Sequence, residues 1–127
     1  MPATTNRAPG FDRNPDKAIA VDQHAGEVSV YAGDTLVART KRAKVLTEPP
    51  YPARYYIPFE DIRMAMLVPT AHSTHCPYKG DASYWTVKPA GEGGFNAMWA
   101  YERPYDEMTA IAGHAAFDRD KVRIVAG

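Results

Sequence analysis

The stretch HSTHCPYKGDASYW, residues 72–85, gathers His72, His75, the sole cysteine Cys76, Lys79 ahead of Gly80, and the aromatics Tyr84 and Trp85. Four uses are open to such a set. A structural zinc site takes four ligands, often from paired cysteines. One cysteine rules out a Cys-rich knuckle, and a His/His/Cys or His/Glu set would have to recruit a distant residue such as Glu48 or His114. No metal ligand set is assigned. A cysteine nucleophile is the second use: His75 adjoins Cys76, Lys79 lies close in sequence, and a nearby cation raises the thiolate fraction. Against it, adjacent residues of a strand point to opposite faces, and free cysteine is often a buried, inert side chain. The third is an anion cradle, in which Lys79-Gly80 offers an ammonium and backbone N–H groups, although no GxxxxGK[ST] loop occurs. The fourth is one wall of a small polar pocket, and this is the reading adopted.

Partners for such a pocket lie elsewhere. Glu48 ends the run KVLTE just before Pro49-Pro50. Turned inward, its carboxylate needs a cation, and Arg42 or Lys79 can supply one. Tyr55, Tyr56, Tyr78, Tyr84 and Tyr101, with Trp85 and Trp99, fall in or beside strand-like runs. Their apolar bodies and polar tips suit both cores and ligand pockets.

The elements that must position these residues are mostly strands. EVSVYAG and TLVART alternate about a Gly-Asp turn and read as a β-hairpin. AKVLTE reads as a third strand. PPYPARYYIP carries three prolines in its first four positions, which places it as an extended edge or loop, with RYYIP pairing briefly with a sheet. FEDIRMAMLV is the best helix: Pro58 precedes it, Glu60 and Asp61 lie in its first turn, Phe59, Ile62 and Met66 share a face, and Pro69 stops it. SYWTVKP and NAMWAYER form a second hairpin around PAGEGG. PYDEMTAIAG reads as a helical turn or two closed by Gly113, and HAAFD and KVRIVAG as further strands. The expected fold is mainly β, a single compact domain of short antiparallel strands with one or two short helices. Residues 1–22 are expected to be a flexible or loosely docked extension and residues 23–127 the domain.

A chain of 127 residues fits one domain. Fifteen basic residues balance fifteen acidic ones, so charge gives no reason to name nucleic acid or an anionic membrane as partner. A lone cysteine points to a reducing compartment. The first fifteen residues have no apolar core of a secretory signal, and no run approaches the ~18 apolar residues of a membrane span. The expectation is a soluble, cytoplasmic protein. No motif identifies a cofactor.

The blocks EPPYPARYYIPFEDI, THCPYKGDASYW, MWAYERP and IAGHAAF, taken together, resemble family 427 of the domains of unknown function, also labelled a nucleotidyltransferase-like domain. The resemblance spans about residues 28–125. It implies two small sheets leaning together like a tent with a cavity between them. The positions matching the family's pattern are Arg42, Glu48, Tyr56, Pro58, Asp61, Cys76, Lys79, Gly80, Tyr84, Trp99 and Tyr101. Nucleotidyl transfer usually needs carboxylates clustered on divalent metal, and Glu60-Asp61 and Asp106-Glu107 are better explained as helix starts.

The function expected is binding of an anionic or nucleotide-like small molecule in a pocket between the sheets. Whether the domain is also an enzyme stays open. Lys79 and Arg42 would neutralise the ligand, Glu48 would accept hydrogen bonds or act as a base, Tyr56, Tyr84 and Tyr101 would orient it, and Trp99 would pack on its planar part. Cys76 would be a nucleophile or a wall. The alternatives are a cysteine-dependent enzyme, or an interaction module whose exposed strand edges pair with a partner or a second copy.

Overall fold

The computed structural model describes residues 6–127. Ten strands form two antiparallel sheets. β2 (Val28–Ala32) and β3 (Thr35–Thr40) are the expected hairpin, and Gly33 at its turn has φ 60°, a conformation that favours glycine. β10 (Arg123–Ala126) pairs with the other side of β2, completing a three-stranded sheet in the order β10-β2-β3.

The second sheet has seven strands. These are β1 (Ala20–Gln23), β4 (Lys44–Thr47), β5 (Arg54–Pro58), β6 (Leu67–Cys76), β7 (Gly80–Val87), β8 (Met98–Ala100) and β9 (His114–Phe117). Their order is β1-β4-β5-β9-β8-β7-β6. The fold is mainly β, as expected, with only short helical pieces: α1 (Pro9–Arg13) and several 3-10 turns.

Strand alternation gives the large sheet two different faces. Ile57, Val87, Met98, Ala100, Ala115 and Phe117 point one way and pack against Val28, Val30, Val37 and Ala38 of the small sheet. Leu46, Tyr56, Ala82, Tyr101 and Ala116 point the other way, where Met108 and Ile111 from the 3-10 segment Asp106–Ile111 cover part of them. Apolar burial on the first face fixes the sandwich, and at roughly 25 cal/mol per Å2 it is the dominant stabilising term. The second face is only partly covered.

Three local expectations are corrected. Residues 59–68 do not form a helix: two 3-10 turns, Phe59–Asp61 and Met64–Met66, lead into β6. Within the segment the two turns close, Ile62 N donating to Phe59 O and Met66 N to Arg63 O; other bonds run to β3. Ile62 bridges to Ala38, Arg63 N donates to Val37 O at 2.8 Å, and Asp61 accepts from Thr40 Oγ1 at 2.7 Å. Tertiary pairing of this kind overrides a short amphipathic pattern. RYYIP does pair with a sheet, as expected, but as β5 between β4 and β9 rather than along an edge. Pro49, Pro50 and Pro52 precede the strand and Pro58 ends it, so no interior ladder bond is lost. The long β6–β7 hairpin, absent from the expected elements, contains the whole 72–85 stretch.

Of the segment expected as an extension, residues 1–5 lie outside those described. From residue 6 onward it is tied down. Ala8 N donates to Glu107 Oε1 at 3.0 Å, Gly10 N donates to Pro77 O at 2.9 Å, and Phe11 meets Tyr78 edge-on with centroids 5.1 Å apart. A Cβ on Gly10 would lie 2.7 Å from the Tyr78 ring, which only glycine permits without a shift. Residues 20–22 belong to β1.

Candidate functional site

The partly covered face of the large sheet holds a cleft of about 480 Å3. Its floor is built by strand period. Arg54 and Tyr56 share a face of β5, Tyr84 stands on β7, Trp99 on β8, and Tyr101 just beyond β8; all line the cleft. The rim comes from the connections: Glu48 after β4, Lys79 in the β6–β7 turn, Asn96 before β8, and Lys121 before β10.

Glu48 and Lys79 meet. Lys79 Nζ donates to Glu48 Oε1 at 2.7 Å, and Lys17 Nζ lies 3.1 Å from Glu48 Oε2. The three side chains are 12, 13 and 17% exposed, for Lys79, Glu48 and Lys17 respectively. Burial pushes the Glu48 carboxyl up, but the hydrogen bonds and charges of Lys79 and Lys17 outweigh it and hold the group below its ordinary value. The Glu48 contact raises Lys17 above its own. Two ammoniums on one carboxylate leave one positive charge in excess, and Lys79 Nζ faces the Tyr101 ring at 5.9 Å.

The aromatic wall is continuous. His72 and Tyr84 meet edge-on at 4.5 Å, Tyr84 and Trp99 lie 6.5 Å apart, and the Arg54 guanidinium sits 5.4 Å from the Trp99 ring centroid. Tyr84 Oη and Thr74 Oγ1 share a 2.9 Å hydrogen bond. Burial pushes the Tyr56 phenol up to about 12 and raises Tyr101 as well. A spectrophotometric titration of the native protein should therefore leave two of its eight tyrosines un-ionised through pH 11. Eight tyrosines ionising together near pH 10 would contradict this burial.

The other expected site residues stand apart. Arg42 is exposed and bound to acids away from the cleft, with Nη2 3.1 Å from Asp61 Oδ2 and 3.3 Å from Glu60 Oε1. Cys76 is half-buried and packs with Tyr56 and Tyr101 in the apolar cluster, outside the cleft lining. His75, its sequence neighbour, turns to the opposite face and bonds Asp81 Oδ1 at 2.7 Å across the hairpin. The cavity expected between the sheets corresponds to packed core at that place; the cleft lies on the far side of the large sheet.

Several residues of the cleft were missed. Arg54 is two positions before Tyr56 on a strand, so period-2 alternation alone puts both on one face. His72, by contrast, is part of the pocket wall expected from residues 72–85, and it shares its β6 face with Thr74 and Cys76 by the same rule. Asn96 and Lys121 line the cleft from remote connections and Lys17 reaches Glu48 from another, and no local pattern marks them.

A family model described as a domain of unknown function (DUF427), with the label NTP_transf_9, matches residues 20–126. The chain belongs to this DUF427 family. The match runs from the first residue of β1 to the last of β10, so all ten strands belong to the family's domain. No curated protein matches the chain. For the transfer chemistry in the DUF427 label, carboxylates usually gather around a divalent ion. Among the described residues, no group of three or more His, Cys, Asp or Glu side chains is placed to hold one. Among the same residues, no helix is long and apolar enough to cross a membrane.

Proposed function

We propose that this DUF427 domain binds a small anionic molecule with a planar ring in the cleft formed by Tyr56, Tyr84, Trp99 and Tyr101. The observation that carries the reading is the Lys17–Glu48–Lys79 cluster. Its excess positive charge is largely withdrawn from water, and a buried charge without a counter-ion is costly. An anionic group on the ligand supplies that counter-ion. Lys121 and Arg54 add positive charge around the same space, against Asp118 as its other carboxylate. The Trp99 and Tyr84 rings offer stacking surfaces for a planar group.

Glu48 fits a positioning role better than that of a base, because a carboxyl held below its ordinary value takes up a proton poorly at neutral pH. Cys76, packed among tyrosines with no cation shown beside it, fits a structural thiol better than a nucleophile.

Thermal-shift measurements with adenosine monophosphate, adenosine and ribose 5-phosphate test the proposal. A ligand at 100 times its Kd stabilises by about 2.7 kcal/mol. The monophosphate should raise the melting temperature most, since it alone has both ring and anion. Lys79→Ala should weaken its binding about tenfold, the scale of one lost charge-assisted hydrogen bond. No shift at millimolar ligand, or an equal shift in Lys79→Ala, would sink the reading.

A further inference from the structure

A second cavity, of about 440 Å3, opens where β5 and β9 of the large sheet meet β10 of the small one. Tyr55, Phe117 and Ile124 give it apolar walls, and Arg54, Arg119 and Arg123 give it charge. No carboxylate lines it. Among the described residues, none of these three arginines is ion-paired, whereas Arg7, Arg39 and Arg42 each hold an acid.

Two of the guanidiniums are held in place without using up their donors. Arg119 gives one N–H of Nη2 to the carbonyl of Ala53, which leaves most of its five donors unused. Arg123 lies directly opposite Tyr31 in the β10–β2 ladder, with its guanidinium 4.5 Å from that ring's centroid. Stacking occupies the flat face of a guanidinium and leaves its N–H edge available for a bidentate contact. The Tyr31 ring is itself anchored, since its hydroxyl accepts from Arg39 Nη2 at 3.0 Å. An arginine already fixed by stacking loses less side-chain freedom on binding than a free one.

We propose that this cavity is a phosphoryl-binding site, in which Arg119 and Arg123 grip a phosphate group and Tyr55, Phe117 and Ile124 seat the apolar body attached to it. The ligand class is an organic phosphomonoester. A single arginine fork satisfies a carboxylate, but the three terminal oxygens of a phosphoryl group engage more than one. Arg54 lines both cavities, but Arg119 and Arg123 line only the second and Lys79 only the first, so variants at Arg123 and Lys79 tell the two sites apart.

The test follows amide and arginine Nε resonances of the full chain during titration with phenyl phosphate, with benzoate and phenol as comparisons. Phenyl phosphate should shift resonances of residues 119 and 122–124 and bind at least about tenfold more tightly than benzoate. Arg123→Gln should weaken binding about tenfold, and Arg123→Lys, which retains the charge and stem, by less. Lys79→Ala should leave the shifts of residues 119 and 122–124 unchanged, whatever it does to shifts at the cleft. Wild-type affinity in both Arg123 variants overturns the proposal, as does benzoate binding equally well. Shifts that vanish in Lys79→Ala but survive in Arg123→Gln assign the phosphate to the cleft; this proposal then falls while the cleft reading stands.

Discussion

Glu48→Ala should unfold about 2–3 kcal/mol more easily than the wild type at pH 7, and the difference should shrink on acidification. The substitution leaves the Lys17 and Lys79 ammoniums, 17 and 12% exposed, without the carboxylate between them. Removing one partner of a fully buried ion pair costs about 3–5 kcal/mol; the lower figure reflects the solvent reaching these groups at the cleft. The pH dependence has a definite sign. The folded-state pKa of Glu48 lies below its ordinary 4.5, so the unfolded chain takes up the proton first as pH falls. The stabilisation is complete above the ordinary value and is lost as pH descends through the folded one. Lys17 has the opposite sign: its raised pKa stabilises below 10.5 and is lost as pH rises through the folded value. Melting curves from pH 3 to 11 therefore give a wild-type advantage that is widest between about pH 5 and 10. An advantage unchanged at pH 3 would show that packing, not charge, holds the cluster. Glu48→Gln, which keeps the shape but not the charge, should recover part of the loss.

Strand-level features were legible wherever alternation and turn chemistry coincided. The β2–β3 hairpin is written in VSV, LVA and the Gly33-Asp34 turn, and β7, β8, β9 and β10 in their aromatic and β-branched runs. FEDIRMAMLV misled because its helical spacing and acidic start are local, while the bonds of Asp61, Ile62 and Arg63 to Thr40, Ala38 and Val37 are not. The seven-strand order was beyond reach for the same reason: neighbours such as β5 and β9 are far apart in the chain, and nothing within either run names the other.

At the cleft, the need of Glu48 for a cation was legible because it stands at a strand end, but the sequence left Arg42 and Lys79 equally open as its partner. The cluster's third member, Lys17, lies in a polar, aperiodic segment whose docking depends on Gly10 fitting beneath Tyr78. Arg42 was misplaced because charge alone does not tell which acid a guanidinium will meet; Asp61 and Glu60 are nearer than the cleft. The cavity was set between the sheets because the family resemblance implied two sheets leaning together around one. The small sheet fills that side with Val28, Val30 and Val37, all fully buried, and the far face keeps the concavity.

The consecutive residues Met98 and Trp99 test that two-faced arrangement directly. Met98, fully buried, lies opposite Trp85 on β7 and Phe117 on β9 and faces the small sheet. Trp99 is partly buried, stands between Tyr84 and Ala116, and faces the cleft. Met98→Ala should therefore cost about 3 kcal/mol, within the range for emptying a core methionine site, and lower the melting temperature by on the order of 10 °C. Below that temperature its affinity for a cleft ligand should match the wild type, since no cleft atom is removed. Trp99→Ala should also destabilise, by less than emptying a fully buried tryptophan site (about 3–5 kcal/mol), because the indole is packed on one side and faces the cleft on the other. It removes the ring beneath Arg54 and the main stacking surface of the cleft, so binding of adenosine monophosphate should weaken about tenfold or more. Urea unfolding and ligand titration on both variants measure the four quantities. If Met98→Ala instead abolished binding in a protein still folded, the ligand would have to lie on the side of the large sheet that faces the small one. If Trp99→Ala bound as tightly as the wild type, the aromatic wall would be a packing surface without a ligand, and the Lys17–Glu48–Lys79 cluster would be left as a structural ion pair.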